Sequence, residues 1–94
     1  MTVEALVEKN NNKKHKSFRR IGGGYYADVY KVSYDKAESI VVKVYKTKGV
    51  MEKEARGLAL LSEHSATAVP TVLWSRRADE DFDRDVLCMN HLKA

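Results

Sequence analysis

The chain has 94 residues, 32% of them charged and 44% hydrophobic, a size and balance that fit one small globular domain. Its apolar runs are only a few residues long, which excludes a membrane-spanning helix, and no basic start followed by an apolar stretch and a small-residue cleavage site marks it for secretion. The net charge of +4 is local: Lys9, Lys13, Lys14, Lys16, Arg19 and Arg20 fall in one segment free of acids, while the remaining eleven Lys and Arg face thirteen Asp and Glu.

Thr2 to Glu8 predicts a short helix, with Thr2 as its cap and Val3, Leu6 and Val7 on one side. Asn10-Asn11-Asn12 is expected to end it, and Lys13 to Ser17 reads as polar and mobile, so residues 1–17 are set apart from a folded region over 18–94. Phe18 to Ile21 predicts a first strand. The turn Gly22-Gly23-Gly24-Tyr25-Tyr26 follows, then a second strand over Val29 to Tyr34, a turn at Asp35 to Glu38, and a third strand over Ser39 to Tyr45. Three consecutive strands of this kind make an antiparallel meander. Val50 to His64 is the strongest helix: Met51, Glu54, Leu58 and Leu61 recur on one face, and Glu52, Arg56, Ala59 and Glu63 on another, with Glu52 and Arg56 spaced for an ion pair. Beyond Pro70, Thr71 to Ser75 predicts a fourth strand, Arg76 to Asp85 a charged loop, and Val86 to Met89 a fifth. The fold class is therefore α+β, a five-stranded antiparallel sheet with one packed helix. Val42, Val44, Leu58, Leu61, Val72, Leu73, Leu87 and Met89 are its expected core.

The chemistry-bearing feature is the glycine turn between two strands, with a single lysine, Lys43, among aliphatic residues on the next strand. Glycines let backbone amides approach phosphates closely, and a fixed ammonium reaches the same phosphates from the neighbouring strand. A lysine facing inward on a strand is costly unless paired, and Glu54, on the apolar face of the helix, supplies a partner. Taken alone, the glycines are equally compatible with a plain hairpin turn.

Together these residues resemble the N-terminal lobe of protein-kinase-like phosphotransferases. Ile21 to Tyr30 is similar to the glycine-rich loop G-x-G-x-x-G-x-V, through Gly22, Gly24 and Val29, with Ala27 in place of the third glycine and Tyr26 at the loop tip. Val41-Val42-Lys43 resembles the third-strand lysine motif, and Glu54 the helix glutamate that pairs with that lysine. Leu87 to Leu92 resembles the fifth strand running into the hinge. The resemblance implies that Asn90 (carbonyl) and Leu92 (amide) hold the adenine, with Met89 at the back of the base pocket. It implies ATP as the ligand, bound by Gly22, Gly23, Gly24, Tyr25, Tyr26, Ala27, Val29, Lys43, Glu54, Met89, Asn90 and Leu92, and a protein or small-molecule hydroxyl as acceptor. Glu54 to Leu61, with Val69 to Leu73, is similar to the aminoglycoside phosphotransferase and fructosamine kinase branch, whereas the loop reads more like a Ser/Thr protein kinase.

The family's catalytic aspartate and its metal-binding aspartate have no counterpart in these 94 residues, so the chain is expected to bind nucleotide without catalysing transfer, Mg2+ being held by a second lobe. The rival reading is a non-enzymatic module that binds a partner through the same fold. A Rossmann site needs a helix directly after the glycines, where this chain has a strand pattern, and a Walker loop needs Gly-Lys-Ser/Thr, which is missing.

His15, His64 and His91 have no ligand-like spacing with one another or with Cys88, and Asp79-Glu80-Asp81 reads as a solvated loop rather than a cation site. The basic N-terminal segment has only Phe18 interleaved, which argues against nucleic acid as a partner. One cysteine in an apolar run fits a buried strand residue and a cytoplasmic address. A base-pocket wall around Met89 and Leu92, with a rim near Val29, is expected to be exposed and to drive a two-fold homodimer, with weak or absent ATP binding by the chain alone.

Overall fold

The computed structural model describes residues 1–34, 39–64 and 69–90. Within them the order is α1 (Val3–Asn11), β1 (Ser17–Gly23), β2 (Ala27–Ser33), β3 (Ser39–Tyr45), α2 (Val50–His64), β4 (Val72–Arg76) and β5 (Val86–Asn90). The five strands form one antiparallel sheet in the order β1-β2-β3-β5-β4. This is the α+β architecture expected, with β3 and α2 at the predicted bounds.

Alternation along β3 divides the molecule. Ile40, Val42 and Val44 point to one face, where they pack with Val32, Tyr34, Val86 and Cys88. The helix α1 closes that face with Leu6 and Val7, both fully buried, and Phe82 enters from the β4–β5 loop. Thr2 caps α1 by accepting from the Ala5 amide at 3.1 Å. Asn12, left-handed at φ 50°, ends it, a conformation that asparagine tolerates better than most residues. Asn11 then anchors the helix end to the sheet. Its amide donates to the Tyr34 hydroxyl at 3.0 Å, and its carbonyl accepts from Trp74 Nε1 at 2.9 Å. A helix that the sequence assigns to a separate leading segment is thus a second packed helix of the same core.

Val41, Lys43 and Tyr45 point to the other face, which α2 covers in part. Here Tyr45, Met51, Leu87 and Met89 are buried, with Val41, Leu58 and Val72 packed around them.

Two expected core residues lie outside. Leu73 is 50% exposed because Val72 and Trp74 pair with the adjacent residues Met89 and Cys88, which leaves Leu73 as the extra residue of a bulge. Leu61 is 54% exposed. It follows the helical stripe, but the stripe runs past the sheet residues that bury Met51. Glu52, placed for Arg56 by sequence spacing, meets Arg77 Nε at 2.7 Å.

Candidate functional site

The glycine turn joins β1 to β2 and is closed by the Gly24 amide donating to the Ala27 carbonyl at 2.9 Å. Lys46, just past β3, pins the turn from below. Its ammonium donates to the Gly24 carbonyl at 2.9 Å and its amide to the Tyr26 carbonyl at 2.7 Å. Tyr25 and Tyr26 stand exposed at the tip with their rings edge-on at 5.3 Å. None of Gly22, Gly23 and Gly24 has a positive φ. A Cβ on Gly22 or Gly24 meets no atom within 4 Å, so the fold by itself does not require glycine at either position. Gly23 differs: a Cβ there would sit 1.9 Å from Arg20 Nη2, because the Arg20 guanidinium lies across it to reach Asp28.

Asp28 is the hub of a charge cluster that sequence reasoning missed. Arg20 donates to its Oδ1 at 3.0 Å, Arg84 approaches Oδ2 at 3.4 Å, and the Lys46 ammonium lies 3.7 Å from Oδ1. The hydrogen bond from Arg20, helped by the charge of Lys46 and a hydrogen bond from Arg84, outweighs partial burial and holds the Asp28 carboxyl below the usual carboxylate range. Arg84 also donates to the carbonyls of Val44 and Tyr45, at 3.0 and 2.9 Å, so the cluster ties β2, β3 and the β4–β5 loop together. Asp28 and Arg84 are 56 residues apart. No sequence signal joins them.

Across the sheet, Val29 pairs directly with Lys43 in the β2–β3 register, and both share the α2 face. Lys43 Nζ donates to Glu54 Oε2 at 2.9 Å, the pair anticipated from the helical stripe. The same oxygen accepts from the Tyr45 hydroxyl at 2.8 Å. Tyr45 went unread in the sequence although it lies two residues beyond Lys43, the spacing that puts two strand residues on one face. Burial, reinforced by the adjacent Glu54, pushes the Tyr45 phenol well above the ordinary tyrosine range, so it donates throughout any physiological pH.

Lys43, Glu54, Gly57, Leu58, Leu61, Pro70 and Met89 line a hollow of about 310 Å³. The fold therefore brings Lys43, Glu54 and Met89 together. Val29 stands beside them, and the residues from Gly22 to Ala27 lie outside the hollow's lining. Met89 is 6% exposed, under Leu58, Val41 and Val72, so the wall expected to be open at this residue is covered. Asn90 accepts from the Thr71 amide through its side chain at 2.7 Å and donates to the Thr71 carbonyl through its own amide at 3.0 Å. Leu92 and His91 lie outside the described residues, as does the turn over 35–38.

The charged β4–β5 loop holds itself together. Asp79 Oδ1 accepts from the amides of Asp81 and Phe82, and Oδ2 pairs with Arg76, whose hydrogen bond holds the Asp79 carboxyl low. Asp85, buried, accepts from the amides of Ala78 and Gly49, at 2.8 and 3.3 Å, and so fixes the residue that precedes α2. Gly49 has φ 93°, which glycine alone adopts without strain. Cys88 is buried on the α1 face, where desolvation pushes its thiol up to about 12 and leaves it inert. No helix among the described residues is long and apolar enough to cross a membrane. Compared with known proteins, the chain matches no family model and no curated sequence.

Proposed function

We propose that this chain is the ATP-binding lobe of a kinase-like phosphotransferase, an enzyme that passes a phosphoryl group from ATP to a protein or small-molecule hydroxyl. The observation that carries the reading is Lys43: it sits opposite Val29, the third residue of the strand that leaves the glycine turn, and is aimed by Glu54 at 2.9 Å. An ammonium held this way supports a role on the α- and β-phosphates of the nucleotide. The open space at Gly22 and Gly24 supports the same reading, since glycine where the fold does not demand it suits a ligand that approaches the backbone closely. Val29 and Val41 offer apolar contact for the base with Met89 behind them, and the reading assigns a hydrogen bond to the Asn90 carbonyl.

Lys43 and Glu54 bind and orient. Phosphoryl transfer further needs a metal on the phosphates and a base at the acceptor hydroxyl, and the reading assigns both to a second lobe. A cytoplasmic location belongs to the same proposal, on the single reduced and buried cysteine. So does self-association, which rests on Leu61, exposed at the rim of the hollow, since Met89 is covered.

The test is a titration of the 15N-labelled chain with ATP, followed by amide chemical shifts. Millimolar binding that moves Gly22 to Val29, Lys43, Met89 and Asn90, and that weakens about tenfold in Lys43→Ala, is the expected result. Shifts confined to the α1 face, or none, would sink the proposal.

A further inference from the structure

Glu54 Oε2 receives two donors, Lys43 at 2.9 Å and Tyr45 at 2.8 Å, and the two differ in their surroundings. The Lys43 and Glu54 side chains are each about one-third exposed, at 31% and 36%. An ion pair this open to water shifts an equilibrium by about fivefold at most. Tyr45 is 1% exposed, and its ring is packed with Met51, Leu87 and Met89. Removing a buried donor from an ionised acceptor shifts an equilibrium by roughly ten- to a hundredfold. Little else clamps the middle of α2. Among its described side chains Met51 alone is buried, Val50 at the helix start, Ala55 and Leu58 are partly so, and Leu60 and Leu61 face solvent.

We propose that Tyr45 is the positioning residue that docks α2 on the sheet through Glu54, so that Glu54 stays in place to aim Lys43 at the phosphates of a nucleotide without the exposed ion pair having to seat the helix. The role of Lys43 here rests on the nucleotide reading above; the Tyr45 tether does not. When the ammonium also engages an anion, Glu54 keeps its hydrogen bond to a donor that cannot move away, because the Tyr45 ring is locked among its apolar neighbours. Asp85, on the Gly49 amide, holds the start of the same helix from the β4–β5 loop. The helix is thus held in place before any ligand arrives.

Amide hydrogen exchange of the whole chain, paired with labelling of Lys43 by an acyl-phosphate derivative of ATP, separates the two ideas. In Tyr45→Phe the α2 amides should exchange about tenfold faster relative to those of β3, and labelling of Lys43 should fall severalfold. In Lys43→Ala the α2 amides should stay within about fivefold of the unsubstituted chain. Cys88→Ala, which loosens the opposite face, should raise exchange without preference for α2 and leave the labelling of Lys43 unchanged.

Glu54→Gln, which keeps an acceptor for Tyr45 but breaks the ion pair, should preserve α2 protection, whereas Glu54→Ala should lose it. This comparison decides the matter if Tyr45→Phe fails to fold. Protection of α2 that survives Tyr45→Phe, or that falls as far in Lys43→Ala or Glu54→Gln, overturns the proposal. If the ATP probe does not label Lys43 in the unsubstituted chain, the nucleotide reading fails, and the exchange data still judge Tyr45.

Discussion

Leu6 and Leu61 are chemically identical and occupy opposite situations, and truncating each to alanine tests the architecture directly. Leu6 is fully buried between α1 and the sheet, whereas Leu61 is half in water. Leu6→Ala removes three buried carbons, worth about 2.5 kcal/mol at roughly 0.8 kcal/mol each, and the cavity left behind raises the cost to about 3–4 kcal/mol. A domain of this size has a total stability of about 5–14 kcal/mol, so the loss is a large fraction of it. At about 4–8 °C per kcal/mol, Tm should fall by roughly 12–30 °C. Leu61→Ala leaves no enclosed cavity and forfeits less than about 1 kcal/mol. Urea unfolding followed by fluorescence of Trp74 suits the measurement, because the Trp74 indole is bonded to Asn11 at the end of α1 and reports its docking. Equal midpoints for the two variants, or a loss below about 1 kcal/mol in Leu6→Ala at unchanged slope, would show that α1 lies outside the cooperative unit.

The Asp28 cluster should make the protein acid-sensitive. Because the folded carboxyl titrates below its ordinary value of 3.8, the cluster stabilises fully above that pH and the contribution disappears as pH falls through the lower folded value. Asp28→Asn should flatten this part of a Tm-against-pH curve, Gly23→Ala should flatten it partly by displacing Arg20, and Gly22→Ala should leave it alone. Light scattering checks self-association: dimer should form in the unsubstituted chain and weaken in Leu61→Ser, and a strict monomer at high concentration refutes it.

Local periodicity carried the elements well. The period-two pattern through Ser39–Tyr45 and the period-3.6 stripe through Val50–His64 fixed both segments, and the stripe chose Glu54 over Glu52 as the partner of Lys43. The errors arise where burial depends on something non-local. Leu73 alternates correctly in sequence, yet the bulge between Val72 and Trp74 turns it outward. Leu61 has the right helical phase but, among the described residues, belongs to neither buried cluster. α1 carries its own cap and apolar side, but nothing local says that Asn11 meets Tyr34 and Trp74, the latter 63 residues away. At the site the same division holds. Lys43, Glu54 and Val29 were legible, and Tyr45 was legible in principle from its spacing. The Arg20–Asp28–Arg84 cluster, assembled from two strands and the β4–β5 loop, was not.

The two faces of the sheet divide the work of the molecule. Among the described residues, ten buried side chains cluster on the α1 face and four on the α2 face. Apolar burial, the main driving force, is therefore concentrated on the side away from Lys43. A sheet with a lysine, a glutamate and an open hollow on one face has given up much of the area that ordinarily holds such a face to its helix. Closing the other face with Leu6, Val7 and Phe82 compensates, and the Asn11 bonds to Tyr34 and Trp74 keep α1 seated. Two hydrogen-bonding devices, Tyr45 on Glu54 and Asp85 on Gly49, then place α2 where apolar contact is thin. Stability is set on one side of β3 and geometry on the other, so substitutions on the α1 face should change how long the domain stays folded, and those around Tyr45 should change where α2 and Glu54 sit.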